Sequence, residues 1–218
     1  YNLANDDITG AQVAGMFNQS LKTMRGGQIG LFNSANVIHG FQLGLINVAD
    51  SSTGVSIGLL NIVKNGYHSV ELFGNEVMLA NVAIKTGTNS FYNIYTAGFE
   101  SETNYTYGFG LGFGSKLTLA KWLSMSFDIT ANYINEEEVF DWQVNILNRG
   151  DLSFELNLNK HIALIGGPSF NAHISELGRK SEGQFTTDIA VNPFYTENNG
   201  DYQLQMWIGA KAGLRISF

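Results

Sequence analysis

The sequence predicts an all-β fold in which an antiparallel meander of about 12–14 strands closes into a barrel. Three observations lead there. Apolar and polar residues alternate over long stretches, the period-two signature of a pleated strand with unlike faces. Glycine is frequent (25) and proline scarce (2), a balance that suits long, curved strands with few breaks. The last of the alternating segments, residues 202–218, runs without interruption.

Composition narrows the class further. Hydrophobic residues make up 44% and aromatics 12%, too many for a disordered chain. Charged residues are only 14%, against roughly 25% in a soluble domain, and mean hydropathy is -0.03. The net charge of -7 with scattered Lys and Arg argues against nucleic-acid binding. Cysteine is absent, which excludes disulfides and thiolate metal sites. No apolar run is long enough for a transmembrane helix. Few charges, many Gly and aromatics, and little Pro fit an outer-membrane barrel better than a cytosolic enzyme. Tyr1 is preceded by no basic or apolar leader, so a processed exported chain or a fragment is expected.

The strands are justified in chain order, starting with a repeat. Gln28-Ile-Gly-Leu-Phe-Asn33 recurs as Gln42-Leu-Gly-Leu-Ile-Asn47 and as Ser56-Ile-Gly-Leu-Leu-Asn61, with a longer copy at Gln12–Asn18. Two readings fit residues 10–65. Each unit can be one strand of the barrel meander, with Phe41, Leu43 and Leu45 on one face and Gln42 and Gly44 on the other. Alternatively each is a rung of a β-solenoid, in which Asn18, Asn33, Asn47 and Asn61 stack as a ladder. The first joins the repeats to the rest and is preferred. On that reading residues 1–218 are a single barrel domain, with repeats at 10–65 and C-terminal strands at 66–218.

From Tyr67 onward the alternation is cleaner. Tyr105, Tyr107, Phe109, Leu111 and Phe113 alternate with Thr106 and glycines. Leu123 to Tyr133 alternate with Ser124, Ser126, Asp128, Thr130 and Asn132. Leu152, Phe154, Leu156 and Leu158 alternate with Ser153, Glu155, Asn157 and Asn159. Turns at Asn159-Lys160 and Leu119–Lys121 read as tight. Those at Asn135–Glu138 and Ser175–Thr186 read as longer and polar, the usual asymmetry of membrane barrels. In the last strand, Tyr202, Leu204, Met206, Ile208 and their alternates to Phe218 form an apolar face opposite Gln203, Gln205, Lys211, Arg215 and Ser217. A terminal aromatic on such a strand resembles the signal read by barrel-assembly machinery in Gram-negative bacteria.

The Gln-Ile-Gly-Leu-Phe-Asn repeats resemble the surface-repeat proteins of spirochaete and Bacteroidota envelopes. Gly66–Glu71, Thr86–Ile94 and Met206–Lys211 are similar to stretches of uncharacterised Bacteroidota outer-membrane proteins. The resemblance implies an envelope location and a β-rich fold, and it brings no catalytic residues.

Candidate chemistry is sparse. His39, His68, His161 and His173 have no metal-ligand spacing, and solvated loop positions are expected for them, with His173 at a strand-to-loop exit. Gly108–Gly114 lacks the Lys-Ser/Thr of a phosphate loop and reads as strand. His173 and Ser175, with Asn171, share one strand face. The pair resembles the arrangement in outer-membrane lipid A deacylases, but Glu176 points away and Glu182 or Asp188 could orient the His only by loop folding. Glu136, Glu137, Glu138 and Asp141 are dense in carboxylate yet lack Ca²⁺-loop punctuation. Trp122, Trp142 and Trp207 are candidates for an interfacial aromatic girdle.

The expectation is a non-enzymatic outer-membrane barrel with no catalytic, cofactor or metal residues. Its role would be structural, a narrow pore, or a subunit of a larger envelope complex. The partners expected are outer-membrane lipid and another envelope or secretion protein, with no nucleic acid. An interaction or plug module of a secretion translocon, using residues 11–65, is the alternative.

Overall fold

A computed structural model describes residues 1–100, 106–136, 143–176 and 189–218. The described residues form strands and turns, without helix. They divide into two compact units: residues 1–69 with 85–93 and 218, and residues 70–84 with 94–217.

The first unit is built on the repeats. Its strands are β1 (Asn2–Ala4), β2 (Ile8–Val13), β3 (Phe17–Ile29), β4 (Phe32–Leu43), β5 (Ile46–Ser52), β6 (Val55–Ile57) and β7 (Leu60–Val63). Every pairing among them is parallel. Asn33 lies beside Asn47 and Asn47 beside Asn61, so each 14-residue unit is one coil of a β-solenoid. The alternative reading of the repeats therefore holds. The longer first repeat is absorbed by a bulge between Ser20 and Thr23, which restores the register.

Stacking of like side chains explains why this pairing wins over a meander. Asn18 donates to Asn33, Asn33 to Asn47 and Asn47 to Asn61, at 2.9, 2.8 and 2.7 Å. Asn2 extends the ladder at one end and Asn93 at the other. A Gln ladder runs the opposite way: Gln42 donates to Gln28 and Gln28 to Gln12. Only a parallel, in-register stack lets every buried amide satisfy its neighbour. Met24, Ala35, Ile38 and Ala49 form a buried apolar cluster within the coils.

Each coil has two unlike edges. At one, the residues flanking the repeat glycine point outward. Met16, Leu31, Leu45 and Leu59 form one exposed column, and Val13, Ile29, Leu43 and Ile57 a second. The other edge carries Lys22 paired with Asp6 at 2.7 Å and Lys64 paired with Asp50 at 2.5 Å. There Asp7 accepts the Thr23 backbone N–H, which holds its carboxyl below the ordinary range.

The remaining strands are antiparallel neighbours. They are β8 (Tyr67–Asn75), β9 (Ala80–Gly87), β10 (Tyr92–Glu100), β11 (Thr106–Ala120), β12 (Leu123–Asn135), β13 (Asn145–Asn157), β14 (Ile162–Glu176), β15 (Tyr195–Asn199) and β16 (Tyr202–Ser217). Order runs β14-β13-β12-β11-β10-β9-β8-β16, and β16 pairs back to β14, so eight strands close a barrel. The short β15 lies outside this ring, as a hairpin partner of β16. Eight is fewer than the 12–14 expected, because the repeat strands pair among themselves and leave the barrel to residues from Tyr67 onward. The tight turns expected near Lys121 and Lys160 are present, joining β11 to β12 and β13 to β14. The longer loops expected at 135–138 and 175–186 fall mostly outside the described residues, as does Tyr105.

Candidate functional site

The alternation read from the sequence sorts by side of the wall. On β12, Ser124, Ser126, Asp128, Thr130 and Asn132 are buried, whereas Phe127, Ile129 and Ala131 are exposed. β11, β13 and β16 repeat the pattern, with Phe109, Leu111, Phe154, Leu156, Ile208 and Leu214 outward. A shallow groove of about 660 Å³ on the outer wall is also apolar, bounded by Leu72, Leu79, Phe99 and Leu214. The polarity is the inverse of a soluble barrel, which hides its apolar face.

The interior is ionic, and its charges are matched. Asp128 and Asp151 are direct cross-strand partners, an arrangement of like charges that is unfavourable alone. Lys211 from β16 resolves it, with its ammonium 3.4 Å from each carboxylate and 3.6 Å from Glu71. Arg149 is a second hub. It donates to Asp151 at 2.8 Å, Glu76 at 3.2 Å, Ser169 at 2.9 Å and the Ala210 carbonyl at 3.2 Å. Glu155 takes Lys116 at 2.7 Å and also Arg215. Pairing of this kind is what buried charges require.

One end of the lumen is filled by the turn between β8 and β9. Glu76 also accepts from Asn171, Trp207 and the Ala210 amide. Val77 and Met78 pack on Ile134, Leu147 and Trp207. Gly209 permits the approach, because a Cβ there would collide with the Glu76 carboxylate. This turn is not among the sequence candidates. Its signal is two apolar residues, Val77-Met78, placed where a tight turn should be polar.

The sequence candidates fall as follows. His173 and Ser175 do share a face, and it is the lumen: they are 0% and 1% exposed. His173 Nε2 lies 2.5 Å from Asn145 Oδ1, while His173 Nδ1 and Ser175 Oγ have no bonded partner among the described residues. The pair faces the lumen and not the outer wall, and Glu176 meets the Val144 backbone N–H instead of the imidazole. Of the other histidines, expected in solvated loops, only His161 lies in a turn, while His39 and His68 lie in β4 and β8; His39 bonds to Thr53, His68 to the Val63 carbonyl and Thr86, and His161 to the Ser217 carbonyl. Glu136 accepts from Asn145. Glu137, Glu138, Asp141, Trp142, Glu182 and Asp188 lie outside the described residues. Among the described residues no His, Asp and Glu cluster could hold a metal ion.

Trp122 is exposed at the β11–β12 turn, but Trp207 is fully buried in the lumen. Trp207 is thus not a girdle residue. It has the parity of Gln205 and Lys211, the inward set, which overrides the general preference of Trp for interfaces.

Compared with known proteins, the chain matches no protein-family model, no curated protein and no solved structure.

Proposed function

We propose that this chain is a non-enzymatic outer-membrane barrel, a closed structural anchor that carries a solenoid as part of the cell envelope. The observation that carries the reading is the inverted wall: aliphatic and aromatic side chains outside, matched ion pairs inside. In water that arrangement exposes what should be buried, and in a bilayer each face meets its proper solvent. Strands of 13–16 residues, as in β11–β14 and β16, exceed the ~9–11 residues needed to cross a bilayer at a tilt.

Closure, not conduction, follows from the lumen. Eight strands leave an interior just wide enough for side chains, and here Arg149, Lys211, their carboxylates and the 76–78 turn occupy it. The expected kinship with Bacteroidota and spirochaete surface-repeat proteins belongs to the same proposal.

The test is envelope fractionation, then detergent extraction and reconstitution. The expected protein partitions with the outer membrane, needs detergent to stay dispersed, migrates differently before and after boiling, and gives silent planar bilayers. A chain soluble without detergent overturns the membrane reading. Steady ion conductance overturns the closed lumen.

A further inference from the structure

We propose that the apolar edge of the solenoid inserts into lipid hydrocarbon, so that the coil is a second membrane attachment in addition to the barrel. The inference rests on the outer-membrane reading above. Three observations carry it.

First, no coil carries a charge on its apolar edge. Residues 12–18, 27–33, 41–47 and 55–61 contain no charged side chain. All six charged residues of positions 1–66 (Asp6, Asp7, Lys22, Arg25, Asp50 and Lys64) belong to the opposite edge or its flanks. Such a division of polarity defines an interfacial element, whatever its secondary structure.

Second, coil-to-coil bonds already engage backbone groups of the apolar edge. A turn in a soluble protein leaves backbone groups to solvent, and lipid-exposed turns are forbidden unless those groups are satisfied. Here coil-to-coil bonds take up several of these groups: Gly30 N–H donates to the Leu43 carbonyl, Gly44 N–H to Ile57, and Leu45 N–H to Leu31. The ladder adds its second amide hydrogens, from Asn18, Asn33 and Asn47, to the carbonyls of Ile29, Leu43 and Ile57 at 2.8, 2.9 and 3.0 Å. Recurrence of Asn at this position of the repeat thus serves the edge as well as the core.

Third, the occupant must be apolar and undemanding. A protein partner brings a polar rim and about one hydrogen bond per 100–200 Å², and the exposed aliphatic side chains of Leu31 and Leu45 carry no hydrogen-bonding group. Stacked about 4.8 Å apart, they present a flat aliphatic ridge that fluid acyl chains can wet. The coil and the barrel belong to one chain, with only residues 64–66 between β7 and β8.

The test uses the full chain. It contains no cysteine, so each single-Cys variant takes one fluorophore. Leu31→Cys and Leu45→Cys report the apolar edge, Asn36→Cys and Ser51→Cys the polar edge, and Phe127→Cys the barrel wall. Each labelled protein is reconstituted in phosphatidylcholine vesicles with and without acyl-chain-labelled quencher lipid, at two protein-to-lipid ratios. Unchanged heat-modifiable migration confirms that each variant is folded. The proposal predicts quenching at Phe127, Leu31 and Leu45 and none at Asn36 and Ser51, independent of protein density. Quenching at Phe127 alone overturns the proposal and leaves the barrel reading standing. Shielding of Leu31 and Leu45 that grows with protein density, without quenching, means a second copy covers the edge and also overturns it. Loss of quenching at Phe127 overturns the underlying membrane reading.

Discussion

Replacing Arg149 by Met removes the hub of the lumen and asks whether that lumen is packed or wet. The guanidinium makes ion pairs with Asp151 and Glu76 and neutral bonds to Ser169 and the Ala210 carbonyl. Removing one partner of a buried ion pair costs about 3–5 kcal/mol, because the other charge stays desolvated. Here both carboxylates keep some support. Glu76 retains Asn171, Trp207 and the Ala210 amide, and Asp151 retains Lys211. That places Arg149→Met near the lower end, about 3 kcal/mol. Arg149→Lys should recover only part, since one ammonium cannot span Asp151, Glu76 and Ser169 as the planar fork does. The assay is equilibrium urea unfolding in micelles, read by fluorescence of the buried Trp207 and by heat-modifiable migration. A loss under about 1 kcal/mol with an unchanged slope is the surface-salt-bridge value. It would mean that water fills the lumen, and the argument for a closed barrel would fail.

Three further outcomes follow from the same structure. Asn47→Ala breaks a bond accepted from Asn33 and bonds donated to Asn61 and the Ile57 carbonyl. The cost is about 3 kcal/mol, seen as roughly hundred-fold faster amide exchange in the flanking coils, and unchanged exchange would refute the ladder. Gly40→Ala drives a Cβ into the Gly26 carbonyl at a φ of +149°. Limited proteolysis should then open residues 26–54 while leaving the barrel resistant, and a resistant coil contradicts the packing described. Ser175→Ala removes a buried hydroxyl that has no partner among the described residues. Its unfolding midpoint should be unchanged or slightly higher, with no loss of any lipid-hydrolase activity; a lost activity would return His173 and Ser175 to candidacy as catalytic groups.

The fold is legible in the sequence where each side chain votes on its own. On β11, β12 and β13 the two faces differ along the strand, so residue parity alone separates wall from lumen. The repeats are legible as units but not in their pairing. A Gln-apolar-Gly-apolar-apolar-Asn unit is compatible with a strand in either sheet type, and only amide-to-amide stacking of Asn33 on Asn47 decides for the parallel coil. The expected strand number is too high for the same reason. Counting strands presumes one sheet, and the described residues make two. Site reading is limited by long-range geometry. Lys211 meets Asp128 across the lumen from a strand far along the chain, and Glu76 reaches Arg149 from a turn. No local spacing encodes either contact. Trp207 is the exception, since its parity with Gln205 is visible in the sequence and outweighs its residue type.

The most direct test of the central reading is a lipid-quenching scan along β12, from Met125 to Asn132, one labelled cysteine at a time. A bilayer-spanning inverted barrel predicts strict alternation: Met125, Phe127, Ile129 and Ala131 quenched by labelled acyl chains, Ser126, Asp128, Thr130 and Asn132 protected. Uniform protection, or quenching at the even positions, would contradict it and leave an all-β protein that meets something other than lipid.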